Sequence, residues 1–550
     1  MYKRQGFVID NRKCIGCHAC TTACKSEHQV PVGVNRTWVK QVEKGEFPNT
    51  RRLFSVMRCN HCTDAPCVEI CPTESLYFRE DGIVDFDKDR CIGCKSCMQA
   101  CPYDALYIDP ETSTAAKCNY CAHRIDVGLE PACVNVCPEE AIISGDMEDP
   151  NAEITQLLSR QQVKVRKPEK GTVPNLFYID ADDASLNPSA TEKSDSYFWS
   201  SQSMGVGHFA KEAEKMAFSN GDLVTALIQQ KESVNAQELA KSGPEKSIDV
   251  LMGEDKPLNK GKATRTYDVA DKGILWGWEV SGYVWTKAIS AGAFLVPFLA
   301  WAFGFAEVNP MVIWTSLGLG VLFLAATGVL LIMDLDQPKR FLFVLLRPHW
   351  GSWLVKGGYA ITVYGGLLSV LAVVNWFGWT AIETPLMWLT AVIAVVVAVY
   401  TAFLFAQAKG RDFWQSPTLA IHMLVHSFMA GAAIFAILSL FGENGENWLL
   451  FLKYVMLVGV GVNLFTMLME LTMTHPTNDA KRTVDMIVRG QYKNKFWMGV
   501  LLLGNVIPML ILFFGGDSTM MLAAAGVAVL IGIWFTEDIW VEAPQRIPLS

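Results

Sequence analysis

A chain of 550 residues, 51% hydrophobic and with a formal charge of −8, is too long for one ordinary domain and lacks the basic excess that nucleic-acid binding requires. All 16 cysteines lie between Cys14 and Cys137, whereas the sequence beyond about residue 280 is dominated by Leu, Val, Ala, Phe and Trp. The averages therefore conceal a charged, cysteine-rich half joined to an apolar half. Residues 1–10 carry charge but no apolar stretch, so no secretory signal is read there, and Arg51-Arg52 precedes no apolar run of the twin-arginine kind. A disulfide framework, the property of small secreted domains, is not expected.

Four cysteine quartets account for every cysteine. The first is Cys14-x2-Cys17-x2-Cys20-x3-Cys24, with Lys25 in the place of a proline. The second is Cys59-x2-Cys62-x4-Cys67-x3-Cys71-Pro72, its third member displaced by two residues. The third, Cys91-x2-Cys94-x2-Cys97-x3-Cys101-Pro102, has the undisturbed spacing of a cubane iron-sulfur motif. The fourth is Cys118-x2-Cys121, an insertion, then Cys133-x3-Cys137-Pro138. Three thiolates in one tight turn wrap a cubane while peptide N–H groups point toward its sulfides. The fourth cysteine, where the proline turns the chain away, serves the partner cluster of a pair. Zinc is the alternative for C-x2-C pairs, but zinc sites do not repeat a third cysteine followed by C-x3-C-P, so four [4Fe-4S] clusters are expected. His18, His61 and His123 fall inside complete quartets and are read as neighbours of the clusters, not ligands. Asp81-Gly82 between residues 75–78 and 83–87 predicts a hairpin, and residues 105–109, 141–143 and 175–180 read as short strands. Together these features predict an α+β ferredoxin-like iron-sulfur domain over residues 1–180.

After residue 180 the motifs stop. Residues 182–253 are rich in Ser, Asn, Lys and Glu, with a sparse helical patch at 209–239, and residues 255–273 are polar and aperiodic. Residues 181–275 are read as a polar linker with partner-docking surface.

Residues 276–550 predict an all-α membrane domain of about eight transmembrane helices, at 280–306, 310–333, 353–377, 385–407, 417–441, 447–472, 496–515 and 518–539. Seven spans is the alternative, because only a Gly-Gly-Asp-Ser turn separates the last two. Lys339, Arg340, Arg347, Lys409, Arg411, Lys481, Arg482, Arg489, Lys493, Lys495 and Arg546 lie on the side of the cysteine-rich domain, and the opposite loops carry no Lys or Arg. The positive-inside rule then places the clusters on the cytoplasmic side of the inner membrane. Ionisable residues inside spans are costly and are functional candidates by default. Lys287, Lys356, His422, His426 and Glu470 fall toward the cluster side, with Asp334 and Asp336 at the exit of the second span and Tyr283 and Tyr400 at similar depth. Such a ring suits a quinone head group, whose carbonyls need donors and whose reduction needs proton carriers; Lys287, Asp334, Tyr283 and His426 are the candidates. His422 and His426 share one helical face, and few other membrane histidines exist, so no haem is expected. The rival expectation is a redox-driven proton or ion translocator using Lys356, His426, Lys453 and Glu470, Lys453 being the one near the far face.

The first half resembles the iron-sulfur subunit of molybdopterin oxidoreductase and polysulfide reductase complexes, on the strength of Cys59-Asn-His-Cys62-Thr-Asp-Ala-Pro-Cys67-Val-Glu-Ile-Cys71-Pro and the third quartet. The second half resembles the NrfD/PsrC membrane-subunit family, through Gly282-Tyr-Val-Trp-Thr-Lys-Ala-Ile-Ser-Ala-Gly292, Asp334-Leu-Asp-Gln-Pro-Lys-Arg340 and Arg347-Pro-His-Trp350. The resemblance implies exchange of the last ligands. One cluster would use Cys14, Cys17, Cys20 and Cys137, and another Cys118, Cys121, Cys133 and Cys24. An inner pair would use Cys59, Cys62, Cys67 with Cys101, and Cys91, Cys94, Cys97 with Cys71, making the third quartet a middle link of the series. It also implies a quinone site, for menaquinone or ubiquinone, at the cluster-facing side of the first four spans. The chain departs from that arrangement by fusing the two subunits. The expected role is an electron-transfer and quinone-reactive component of a membrane respiratory oxidoreductase, with substrate chemistry on a separate catalytic subunit. That partner is expected to be of the molybdopterin type, with a hydrogenase or a multihaem cytochrome as alternatives; the others are lipid and quinone, without nucleic acid.

Overall fold

The computed structural model describes residues 3–46, 49–193, 263–269, 272–442, 445–515 and 518–550. The strand Gln5–Asp10 is buried at every position, as a strand covered on both faces must be. It lies at the centre of a four-stranded sheet, antiparallel to Ile142–Asp146 and parallel to Leu176–Ile179, with Val163–Lys164 at the far edge. The predicted hairpin forms between Leu76–Phe78 and Val84–Phe86, and a second one pairs Leu106–Asp109 with Thr114–Lys117.

A second four-stranded sheet was not legible in the sequence. Thr37–Glu46 and Asn49–Arg58 form a long antiparallel hairpin in register from Thr37 opposite Arg58 to Glu46 opposite Asn49. Ala263–Tyr267 adds to Thr37–Glu46, and Thr191–Lys193 adds beyond it. Both ends of the segment read as a tether thus belong to a sheet, fixed further by Trp38 Nε1 donating to Asp268 Oδ1 at 2.8 Å. The helical patch expected at 209–239 lies outside the described residues.

Among the described residues eight helices are long and apolar enough to cross a bilayer: Trp278–Phe303, Pro310–Met333, Trp353–Phe377, Thr380–Gln407, Leu419–Phe441, Glu446–Thr472, Lys495–Phe514 and Thr519–Arg546. The first is central, packing on the second, fourth, fifth and eighth. Lipid supplies little hydrophobic drive between helices, so close approach of small residues has to hold them together. A Cβ on Gly292 would overlap the Ser427 carbonyl where the first and fifth spans cross, and Gly504 meets Gly532 between the seventh and eighth. The seventh span is π-helical over Lys495–Val506, with Asn505 Nδ2 donating to the Val500 carbonyl at 2.7 Å.

The two halves share one contiguous apolar core that contains Cys71, Cys97, Tyr103, Trp276, Tyr283, Trp414 and Trp540. Polar contacts lock the seam. Gln545 Oε1 accepts from Gln99 Nε2 and from the backbone N–H groups of Leu275 and Trp276. Arg411, buried, donates to Gln99 Oε1 and to the carbonyls of Pro544, Gln545 and Ile547. Arg340 donates to the carbonyls of Lys88 and Cys91.

Candidate functional site

The first and third quartets repeat one backbone. Gly16 and Gly93 both sit at φ 70°, followed by His18 at 61° and Lys95 at 59°. These left-handed positions coil the chain so that successive thiols converge, and a Cβ at Gly93 would come 2.7 Å from Asp336 Cβ.

None of the 16 cysteines is paired in a disulfide, and they fall into four groups. Cys14 lies within electrostatic reach of Cys137 and Cys17, and Cys20 within reach of Cys14. Cys24 faces Cys118, Cys133 and Cys121. Cys67 faces Cys101, Cys59 and Cys62, and Cys97 faces Cys94, Cys91 and Cys71. Each group therefore takes three thiols from one loop and the fourth from another. The groups also form a series, joined by Cys20 to Cys133, Cys59 to Cys118 and Cys97 to Cys67. Burial pushes the thiol of Cys20 up to about 11 and those of Cys94 and Cys121 up to about 12. A bound soft metal group is what keeps such thiols deprotonated, and sets of four thiolates fit a cubane cluster. Sulfur acceptors are already served by N–H donors: Ala115 N to Cys91 Sγ and Ala141 N to Cys137 Sγ, both at 3.3 Å, and His61 N to Cys59 Sγ at 3.5 Å.

Two buried cations among the thiols escaped the sequence reading. Arg58 is fully buried, donates from Nη1 to Cys133 Sγ at 3.1 Å and stacks over Phe7, 4.5 Å from its ring centre. Lys117, equally buried, donates to the carbonyls of Val84 and Cys118 and acts on Cys59 and Cys67. The signal was available: Lys13, Arg58, Arg90 and Lys117 each directly precede the first cysteine of a quartet.

The position of the third quartet corrects an expectation. It is not a middle link but the end of the series, pressed against the membrane half. Trp276 Nε1 donates to the Cys94 carbonyl at 3.1 Å, Gln337 N to the Ile92 carbonyl at 3.2 Å, and Ser352 Oγ to the Ile70 carbonyl at 2.7 Å. At the other end Cys17 is exposed and Cys14 and Cys137 are partly so. The resemblance implies that the second and third quartets form an inner pair, whereas in space their pair forms the membrane-facing end.

Between that end and the first four spans lies a cavity of about 240 Å³ whose walls include Cys94, Ser96, Trp276, Tyr283, Asp334 and Tyr400. Asp334 closes the second span, and its carboxylate is 3.7 Å from Lys95 Nζ, which also donates to the Asp334 carbonyl at 2.9 Å and lies 3.3 Å from Asp336. Burial, opposed by Lys95 and reinforced by Glu279 and Asp336, raises the Asp334 carboxyl to about 7. Lys287 stands behind this wall, buried, with Nζ donating to Thr401 Oγ1 at 2.6 Å and lying 4.7 Å from the Tyr400 ring centre. A larger apolar groove of about 680 Å³, lined by Leu299, Phe305, Phe451 and Tyr454 near the opposite end of the spans, contains none of the thiols or candidate residues.

Of the four membrane candidates, the structure brings Tyr283, Asp334 and Lys287 to the cavity and its wall, whereas His426 lies off the cavity, joined to Glu537, which is within electrostatic reach of Tyr283 and Lys287. His426 belongs to a buried polar cluster in the second four spans, with Nδ1 2.7 Å from Glu537 Oε1 and Nε2 3.1 Å from Asn463 Oδ1. Of the rival path, His426 and Glu470 come within electrostatic reach of each other, and the two lysines are placed elsewhere. Lys356 holds its ammonium over the Trp353 ring, and Lys453 stands 17 positions before Glu470 on one helix, roughly 25 Å by helical rise.

Residues 50–147 match a 4Fe-4S dicluster domain, residues 13–76 a second 4Fe-4S dicluster domain, and residues 269–541 the family "Polysulphide reductase, NrfD". The chain is 47% identical over 189 residues to a tetrathionate reductase subunit of Salmonella typhimurium, covering 34% of this chain and 76% of that protein. A component of the polysulfide reductase of Wolinella succinogenes is 43% identical over 184 residues, 32% of this chain and 95% of its own length. The arsenate respiratory reductase iron-sulfur subunit ArrB of a Shewanella species is 34% identical over 224 residues, 32% of this chain and 96% of its own. The chain thus belongs to this family of iron-sulfur subunits with 4Fe-4S dicluster domains and carries, in the same polypeptide, a multi-pass membrane domain of the polysulphide reductase NrfD family.

Proposed function

We propose that the chain carries electrons between a redox partner docked at its exposed end and a quinone bound in the cavity at its membrane end. The observation that carries this reading is one wall: Cys94, of the last thiol group in the series, lines the same cavity as Asp334, Tyr283 and Tyr400. The cluster-binding sets are Cys14, Cys17, Cys20 and Cys137; Cys24, Cys118, Cys121 and Cys133; Cys59, Cys62, Cys67 and Cys101; and Cys71, Cys91, Cys94 and Cys97. Bound [4Fe-4S] groups supply one-electron steps at potentials set by charge, sulfur hydrogen bonds and exposure.

The residues around the cavity have separate tasks. Tyr283 and Tyr400 offer hydroxyl donors to the quinone carbonyls. Reduction of a quinone to a quinol takes two electrons and two protons, and a carboxyl near neutrality, as Asp334 is, can give a proton and regain it at working pH. Lys287 holds the Thr401 hydroxyl and the Tyr400 ring in place from behind. The quinone is menaquinone or ubiquinone. The partner is a molybdopterin-type catalytic subunit, supported by the resemblance to subunits of reductase complexes, and it docks near Cys17, beside exposed Ile15 and Val136. The positive loops support a cytoplasmic position for the cluster domain.

Gly358 lines the cavity, and a Cβ there meets only Val344 at 3.5 Å and Leu345 at 3.9 Å, so a larger side chain has room to enter. Gly358→Phe should leave dithionite reduction of the clusters unchanged and slow their reoxidation by a short-chain quinone at least about tenfold. Equal reoxidation rates would remove the cavity from the pathway.

A further inference from the structure

We infer that His422, His426 and Glu537 form a divalent transition-metal site that joins the fifth span to the eighth, apart from the clusters and from the quinone cavity. One ligand atom from each of the three lies within 4.8 Å of the other two, and all three residues are buried. Two histidines at i and i+4 share a helical face, and a carboxylate from a facing helix completes a set of two nitrogens and one oxygen. Zinc takes such three-residue sets with a fourth position open.

The hydrogen-bond relay at the back of His426 fixes its protonation. The Val500 carbonyl can only accept, so the Asn505 amide that reaches it at 2.7 Å is the NH2 group, leaving Asn505 Oδ1 as acceptor. Asn463 Nδ2 donates to that oxygen at 3.0 Å, and its own Oδ1 then faces His426 Nε2 at 3.1 Å. Nε2 therefore carries the hydrogen, as expected for an imidazole oriented for a metal at its other nitrogen. Nδ1 presents a lone pair to Glu537 Oε1 at 2.7 Å, and two such atoms stay together only with a positive species between them.

His422 decides which species. It is fully buried, and neither ring nitrogen has a hydrogen-bond partner among the described residues. Glu470 Oε2 lies 3.8 Å from its Nδ1, and its ring centre is 4.1 Å from that of His426. A proton between His426 and Glu537 would leave His422 unsatisfied, which is costly in a buried site. A metal ion bound by both rings and Glu537 engages one nitrogen of each ring and the carboxylate at once, which a proton between His426 and Glu537 does not. Charge points the same way. Among the described residues neither Glu537 nor Glu470 is in direct ion-pair contact with Lys or Arg; the Lys287 ammonium acts on Glu537 from farther away, and Glu470 is held by Thr418 Oγ1 at 2.5 Å and Trp540 Nε1 at 3.0 Å. One divalent ion neutralises both carboxylates inside the bilayer.

The test uses the full chain with its clusters, treated with a mild chelator, dialysed and loaded with radioactive zinc. The wild type should retain one zinc per chain through gel filtration. His422→Asn and Glu537→Gln should lose it without change in iron content or cluster EPR, and His422→Cys should restore it. X-ray absorption at the zinc edge should show nitrogen and oxygen ligands without sulfur in the wild type. Absence of retained zinc, retention undiminished in His422→Asn and Glu537→Gln, or sulfur coordination in the wild type would each overturn the assignment and leave the cluster to protons and water. Quinone reoxidation rates do not enter these readouts, so failure here is separable from failure of the electron-transfer reading.

Discussion

Asp334 gives the proposed quinone chemistry its pH dependence. Burial raises its carboxyl to about 7, so the protonated form dominates toward acid pH and the carboxylate toward alkaline pH. If Asp334 delivers the proton, quinone reduction should be level below about pH 6 and fall about tenfold per unit above pH 8. The direction follows from the environment: burial disfavours the carboxylate, and the Lys95 ammonium 3.7 Å away favours it. Unit charges about 4 Å apart exchange about 4 kcal/mol at an effective dielectric near 20, and partial exposure reduces that, so Lys95→Met should move the inflection upward by about one to two units. Asp336→Asn removes a like charge and should move it downward. Asp334→Asn should abolish it. The assay is stopped-flow reoxidation of the dithionite-reduced protein by a soluble quinone between pH 5.5 and 9. An inflection that persists unmoved in Asp334→Asn would refute the assignment of Asp334 as proton carrier.

Arg58→Leu should lower the potential of the cluster nearest Cys133 by on the order of 50–100 mV in an EPR redox titration, a quarter to half of the interaction of close unit charges; unchanged potentials would refute the role of the buried cation. Cys97→Ala should remove the EPR signal of the membrane-end cluster, leave the other three reducible and reduce quinone reoxidation at least about a hundredfold. Four intact clusters in that variant would refute the grouping. Gly292→Val forces a side chain into the Ser427 carbonyl and should cost about 1–3 kcal/mol, read as a lower melting temperature in detergent; an unchanged melting temperature would show that the first and fifth spans do not depend on that crossing.

The membrane half was legible because a bilayer demands about twenty apolar residues per crossing, and the second and third spans were bounded to the residue. The loop-borne thiols were legible for a related reason, since three ligands in one tight turn leave a local spacing. Which loop supplies the fourth thiol of each group rests on contacts far apart in sequence, such as Cys24 with Cys118 and Cys133, and no local pattern specifies it. The charged hairpin Thr37–Glu46 and Asn49–Arg58 was hidden because Lys40, Lys44, Arg51 and Arg52 interrupt its alternation. The strand Ala263–Tyr267 was hidden because its partner lies more than 200 positions earlier. Depth along a span placed Lys287 and His426 at one height but carried no information about which helices are neighbours. Lys287 adjoins the fourth span through Thr401, whereas His426 faces Glu537 on the eighth and Asn463 on the sixth.

Photolabelling with an azido-quinone tests the central claim most directly. Peptides carrying Leu331, Phe341 and Leu404, which line the cavity beside Cys94, should bear the label, and an excess of unmodified quinone should protect them. Label confined to the groove of Phe305, Phe451 and Tyr454 at the other end of the spans would contradict it.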